Sequence, residues 1–317
     1  MIAVLGEAII DMIGGTGVDE QSCFYPHVGG CALNAATAAA RLGSEVLYIG
    51  NISQDMFGKQ INQHFVDNAV HLIPQLCEVP ENTMIGFAKL DEQGSASYVF
   101  YSDNTTVTNL TAQTLSDVLA EVQHVSYMHI GSVSIALESS GVQILAALES
   151  AESLPAIFFD PNVRPTVITN FPAFRERVIA LAKLSSVIKL SHEDLELIYP
   201  ELSLSEAIEA FFSLGVVHLI LTKGKDGLQW ISRDGLDVSI PAIDNPIVDT
   251  VGAGDTVSGA VMTYLEEQHI SPDDTLSEDT VRTILSFAAQ AAAVTTSRKG
   301  ADPPRRDEID MFAYLQG

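Results

Sequence analysis

The sequence predicts an α/β protein: a doubly wound, mostly parallel sheet with helices on both faces and a small β appendage. Three observations predict it. From about residue 110, short β-branched apolar runs (125–130, 156–160, 186–190, 217–222) alternate with helical segments (138–150, 171–184, 191–198, 205–214), the pattern of a parallel sheet buried on both faces. Three successive runs end in polar loops, at the strand ends where such sheets bind ligands. The rhythm breaks at 83–90 and 95–102, two alternating stretches around Asp91-Glu92-Gln93-Gly94, which reads as a hairpin.

In chain order, residues 2–5 form a buried strand closed by Gly6, and 8–12 continue extended. Asp11 is an acid inside this apolar run, which costs free energy unless it is paired or stands at a strand end. Either it starts a turn before Gly14-Gly15, or it accepts hydrogen bonds from a ligand's hydroxyls. Gly29-Gly30 precedes an alanine-rich helix, 35–42, with Gly43 past its end. The glycines let backbone approach something closely, and Asn34 in the first turn faces the same space. A strand at 45–50 and an amphipathic helix at 56–70 follow. In the hairpin, Ile85, Phe87, Tyr98 and Phe100 make an apolar ribbon that needs a ligand or a second subunit to cover it. A second hairpin spans 227–239, and helices are expected at 256–268, 277–296 and 307–315.

The 317 residues are 47% hydrophobic, enough for one large domain. Sixteen basic against 41 acidic residues give a formal charge of −25. That argues against nucleic acid and anionic membranes as partners, since both need basic patches. Cys23, Cys31 and Cys77 form no C-x-x-C pair and read as reduced thiols. With no basic leader and no apolar run long enough to span a bilayer, a cytoplasmic protein is expected.

The chemistry gathers at Asp249-Thr250-Val251-Gly252-Ala253-Gly254-Asp255. Gly252, Ala253 and Gly254 leave backbone N–H groups uncovered where a helix begins, a place that suits an anion. Asp255 in the first turn repels a phosphate that is merely held. It makes sense as a proton acceptor while a phosphoryl group is transferred. The plainer reading is a helix start with close-packed glycines and a dipole-friendly acid. Three strand ends bear polar residues: Asp160-Pro161-Asn162-Val163-Arg164; Lys189, Ser191 and Asp194; and Thr222-Lys223-Gly224-Lys225-Asp226-Gly227.

Taken together, these motifs resemble the ribokinase-like (PfkB) carbohydrate kinases over nearly the whole chain. Residues 249–255 look like the family's D-T-x-G-A-G-D signature, and Val28-Gly29-Gly30 through Asn34 like its N-terminal G-G…N motif. The resemblance implies one ribokinase-like domain over 1–317, with a β lid from about 12–27 and 83–107. It implies Asp255 as base, Gly252, Ala253 and Gly254 as anion hole, and Asp11, Gly30 and Asn34 on sugar hydroxyls. Thr222, Gly224 and Gly227 match its T-x-G-x-x-G turn along ATP. Lys189, Ser191 and Asp194 match its N/S-x-x-E region near the phosphates and Mg²⁺. Asp194 is one methylene shorter than the usual Glu, so a water-mediated role is implied. Asp249, Val251, Thr295, Arg298 and Gly300 lie at positions where many members bind K⁺ through backbone carbonyls. A homodimer through the lid is also implied.

Gly6–Asp11, Asp160–Pro165 and Lys189-Leu190-Ser191 look most like the bacterial fructokinase branch. The expected activity is therefore fructose to fructose 6-phosphate. Arg164 could orient a sugar hydroxyl, hold a substrate carboxylate or touch phosphate; otherwise it is a surface arginine in a Pro-bounded turn. Alternative acceptors are 2-keto-3-deoxygluconate, aminoimidazole riboside and a nucleoside, whose base Phe24, Tyr25, Phe100 and Tyr101 could line. From another class comes a sugar- or nucleotide-sensing module without catalysis.

Overall fold

The computed structural model describes residues 1–16, 21–90 and 96–309. Along the chain lie β1 (Ile2–Leu5), β2 (Ile9–Thr16), β3 (Ser22–Gly29), α1 (Cys31–Arg41), β4 (Val46–Ile49), α2 (Met56–Asp67), β5 (His71–Leu72), β6 (Ile85–Leu90) and β7 (Ala96–Tyr101). Then follow α3 (Ala112–Glu121), β8 (Tyr127–Gly131), α4 (Ser132–Ala136), α5 (Glu138–Ser150), β9 (Ala156–Asp160), α6 (Phe171–Leu184), β10 (Val187–Ser191) and α7 (His192–Ile198). The last are α8 (Leu204–Ser213), β11 (His218–Thr222), β12 (Leu228–Ser232), β13 (Asp237–Ile240), α9 (Ala253–Glu267) and α10 (Glu278–Thr296).

Nine strands form one sheet in the order β13-β12-β11-β10-β9-β8-β1-β4-β5. It is parallel from β11 to β5, and the β12–β13 hairpin adds an antiparallel edge. Alternation within β1 shows the double burial: Ile2 and Val4 enter one core with α1, α9 and α10, while Ala3 and Leu5 enter the other with α5 and α6. The predicted fold class is the observed one.

A four-stranded sheet, β3-β2-β6-β7, is built from the stretches where the rhythm breaks. Its register splits the expected ribbon between two faces. Ile85 pairs with Tyr101, Phe87 with Val99, and Gly86 with Phe100, so Phe100 turns away from Ile85 and Phe87. One face carries Phe24, Phe87 and Tyr101, with ring centroids 5.0 and 5.7 Å apart. The other carries Asp11 and Phe100. The turn 91–94 lies outside the described residues.

Other boundaries differ for local reasons. α1 begins at Cys31, four residues before the alanine run, and α9 at Ala253, because glycine caps start both helices. α3 was not expected. Its start is fixed by a Thr111 cap accepting from the Thr114 N–H, and its buried face is only Leu115 and Val118. Of the helix expected at 307–315, the described part holds a 3₁₀ turn, Arg306–Glu308, and 310–317 lie outside the described residues. Among the described residues no helix is long and apolar enough to cross a membrane.

Candidate active site

Parallel register brings the polar strand ends together. β9, β10 and β11 are neighbours, and Ser191 stands opposite Thr222. Across these ends comes the start of α9. Gly252 caps it at φ +77° with no side-chain cap, so no side chain takes its first N–H groups; the Ala253 N–H donates to the Thr250 carbonyl at 3.3 Å. That conformation suits glycine, and a Cβ here would stand 2.5 Å from the Ala301 Cβ. Asp255 follows in the first turn, 7% exposed.

Two amides reach the Asp255 carboxylate. Asn34 Nδ2 donates to Oδ2 at 2.8 Å, and Asn162 Nδ2 approaches Oδ1 at 3.5 Å. Asn34 Oδ1 is buried and accepts no hydrogen bond among the described residues. Asp11 is buried on the inner face of the small sheet, where two glycines leave room for it. A Cβ on Gly29 would lie 2.2 Å from Asp11 Oδ2, and one on Gly86 3.0 Å from Oδ1. Burial and the nearby Asp255 carboxylate push the Asp11 carboxyl up to about 7, against the pull of the Arg164 guanidinium. Arg164 is half-buried beside the turn at 165–167, which β7 approaches. Asp11, Asn34, Asn162, Arg164 and Asp255 thus gather acceptors and donors at close quarters, as a polyhydroxylated ligand requires.

The glycine pair before α1 approaches the protein's own acids. Gly30 packs on the Glu7 carbonyl, and Glu7 Oε1 accepts the Cys31 N–H at 3.1 Å. Glu7 Oε2 accepts from the Ser134 N–H and hydroxyl. Glu7 therefore caps α1 from below, a role that nothing in its sequence context signals.

Beyond Asp255 runs a groove of about 730 Å³. Ala253 and Gly254 line its inner end, Thr222, Gly224 and Gly227 one side, and Ile243, Ile247, Ala289 and Ala293 an apolar wall. Gly224 and Gly227 have φ of +56° and +93°, and a Cβ at Gly227 would meet the Ile240 carbonyl at 2.1 Å. This turn thus needs glycine. Glu193 lines the groove as well, although no motif in the sequence marks it. Asp194 instead spends its carboxylate inside the fold. Oδ1 accepts the Val163 N–H at 2.7 Å, and Oδ2 accepts the Ser191 N–H and hydroxyl, both at 2.8 Å. Lys189 does not line the groove. Its ammonium lies beneath, 2.8 Å from Asp160 Oδ2 and 3.2 Å from the Gly254 carbonyl.

The segments holding Asp249, Val251, Thr295, Arg298 and Gly300 also meet. Asp249 accepts the Val251 N–H at 3.0 Å and the Gly300 N–H at 2.9 Å, and the Thr295 carbonyl accepts the Arg298 N–H at 3.1 Å. Of the four aromatic residues suggested for a nucleoside base, register puts Phe24 and Tyr101 on the outer face of the small sheet, away from Asp11.

The family model for pfkB family carbohydrate kinases matches residues 1–308. Among curated proteins, a fructokinase from Rhizobium leguminosarum bv. trifolii is 29% identical over 307 residues, 96% of this chain and 88% of that protein. Solved structures share the fold. The fructokinase of Xylella fastidiosa with bound ATP superposes with a TM-score of 0.82 at 22% identity, covering 99% of this chain and 98% of that one. The fructokinase of Vibrio cholerae O395 with fructose, ADP and calcium does so at 0.80 and 21%, covering 99% and 97%.

Proposed function

Because the chain belongs to the pfkB family of carbohydrate kinases, we propose that it is an ATP-dependent sugar kinase that phosphorylates fructose at its terminal hydroxyl. One observation carries the mechanism. A buried carboxylate, Asp255, stands at a helix start without a side-chain cap, between a polar cluster of Asp11, Asn34 and Asn162 and the groove lined by Ala253 and Gly254. Fructose as acceptor is supported by the names of the relatives and by the fructose-bound neighbour.

In this reading Asp11, Gly30, Asn34 and Arg164 hold the sugar so that one hydroxyl points at Asp255. The Asp255 carboxylate takes that hydroxyl's proton as the oxygen attacks. The backbone N–H groups of Gly252, Ala253 and Gly254 stabilise charge on the phosphoryl oxygens in transit. Thr222, Gly224 and Gly227 hold the nucleotide, whose base meets the alanine and isoleucine wall. Mg²⁺ would neutralise phosphate charge, and Glu193 at the groove would hold it; Asp194, whose oxygens accept from Val163 and Ser191, would act by fixing the start of α7. The carbonyls of Val251, Thr295, Arg298 and Gly300, with Asp249, would take K⁺. The small sheet acts as a lid over 12–27 and 83–107 and excludes water from the site.

The test is ADP release with ATP and Mg²⁺ against fructose, ribose, 2-keto-3-deoxygluconate, aminoimidazole riboside and adenosine, in K⁺ and in tetramethylammonium buffers. Fructose well above the rest, with a higher rate in K⁺, is the expected result. Another acceptor on top replaces fructose. No turnover in a folded, ATP-binding protein favours a sensor.

The outer face of the lid sheet is also proposed as a homodimer interface. Phe24, Val99 and Tyr101 are 50, 56 and 64% exposed there, a contiguous apolar face that water disfavours. In sedimentation, wild type is expected to run as a dimer and Phe24→Glu/Tyr101→Glu as a folded monomer. A monomeric wild type at micromolar concentration sinks the proposal.

A further inference from the structure

The ion pair under the helix start has no part in the mechanism proposed above. Asp160 ends β9 and is fully buried; Lys189, on β10 beside it, is 4% exposed. Their contact of 2.8 Å is the driest ion pair among the described residues. Lys189 Nζ also donates to the Gly254 carbonyl at 3.2 Å. The Ser258 hydroxyl lies 3.2 Å from Asp160 Oδ2 and 3.4 Å from the same carbonyl. Asp160, Lys189 and Ser258 thus close a ring on the Gly254–Asp255 peptide, which joins the last residue of the anion hole to Asp255. Cys31 and His129 adjoin this hub, their ligating atoms within 4.8 Å of each other and of Asp160. The ammonium supplies the cation that Asp160 needs there, so the trio is no metal centre on this geometry.

We propose that Asp160 and Lys189 are positioning residues for phosphoryl transfer: the buried ammonium, held by Asp160, fixes the Gly254 carbonyl and so aims the first turn of α9. This rests on the kinase reading and goes beyond it, since Lys189 needs no contact with nucleotide. At its start the Gly252 carbonyl accepts the Thr256 N–H and hydroxyl, both at 2.8 Å; no side chain caps the turn, and at the Gly254 carbonyl the side-chain anchors are Lys189 and Ser258. Phosphoryl transfer depends on donors aimed where charge develops, and a displacement of about 1 Å costs roughly a hundredfold in rate. The ammonium also places a positive charge under the hole, in a dry site where fields are weakly screened. Each partner keeps the other ionised. Burial works against the charge on Lys189, but Asp160 and Asp255 hold its affinity for the proton above the ordinary value. Burial raises the Asp160 carboxyl to about 6, with Lys189 pulling the other way.

Removing one partner strands a buried charge and risks unfolding. The informative variant is therefore Asp160→Asn/Lys189→Met, which is neutral and of similar shape. It is expected to fold, to bind ADP and fructose as wild type does, and to lose about a hundredfold in kcat with little change in either KM. The extra melting-temperature rise that aluminium fluoride adds to ADP is expected in wild type and absent in the variant. A variant with kcat close to wild type overturns the proposal, because the pair is then only core filling. Weaker ADP binding with kcat retained at saturation also overturns it, because Lys189 is then a nucleotide ligand. A wild type that phosphorylates no acceptor counts against the kinase reading alone. The aluminium fluoride shift then decides: present only in wild type it supports the positioning role, and equal in both proteins it overturns it.

Discussion

Asp255→Asn is expected to lower kcat by about three orders of magnitude while sugar and ATP still bind. A positioned general base contributes roughly 10²–10⁴-fold, and no other carboxylate is assigned to the reacting hydroxyl. Asp11 is raised by burial and is assigned to holding the sugar. The substitution spares the architecture because the Asn oxygen can still accept from Asn34 Nδ2, now at 2.8 Å from Asp255 Oδ2. The helix start loses a negative charge and gains an amide of the same shape, so stability should change little. Steady-state kinetics and calorimetric sugar binding check this. Turnover within about tenfold of wild type removes Asp255 as the base, whatever the affinity.

Asp11→Asn is expected to act on the other side of catalysis, raising the fructose KM by one to two orders of magnitude with a smaller change in kcat. A hydrogen bond to an ionised partner contributes about 1.5–3 kcal/mol, and a carboxylate accepts two sugar hydroxyls where an amide accepts one. The same site gives a pH signature. The Asp11 carboxyl sits at about 7 against an ordinary value of 3.8, so it is mostly protonated at pH 6 and mostly ionised at pH 8. The wild-type fructose KM should fall as pH rises through 7, and in the Asn variant that step should vanish. Stability should run the opposite way. A carboxyl whose folded pKa is raised costs nothing below about pH 4, and the cost grows as pH rises to about 7. The Asn variant is therefore expected to melt above wild type at pH 8, with the gap narrowing towards pH 4. A KM independent of pH in wild type overturns both parts.

Much of the site was legible because its chemistry is written locally. The glycines of 252–254 must be where the chain turns at φ +77° into a helix, and Asp255 must follow within one turn. Gly224 and Gly227 are held to glycine by their own backbone angles. The residues passed over are legible only through their partners. Glu7 looks like any acid after a strand until Cys31 and Ser134 arrive to be capped. Asn162 sits at φ +37° in a loop that already looked polar, and only its approach to Asp255 singles it out. Glu193 and Asp194 are neighbours of one charge type. Which one faces the groove depends on the capping box of α7, where Ser191 claims the side chain three residues on.

By itself the sequence determined the fold class, the βα alternation beyond residue 125 and the helix start that carries Asp255, because periodicity, β-branched runs and positive-φ glycines act over a few residues. Tertiary structure alone decided which side chains share a space. Register sent Phe100 to the face of Asp11 and Phe87 to the opposite one. The adjacency of β9 and β10 set Lys189 against Asp160 and placed that pair beneath Gly254. Asn34 and Asp255, for one, meet from 221 positions apart. Such contacts are fixed by sheet order and by packing on two faces, which no local pattern encodes.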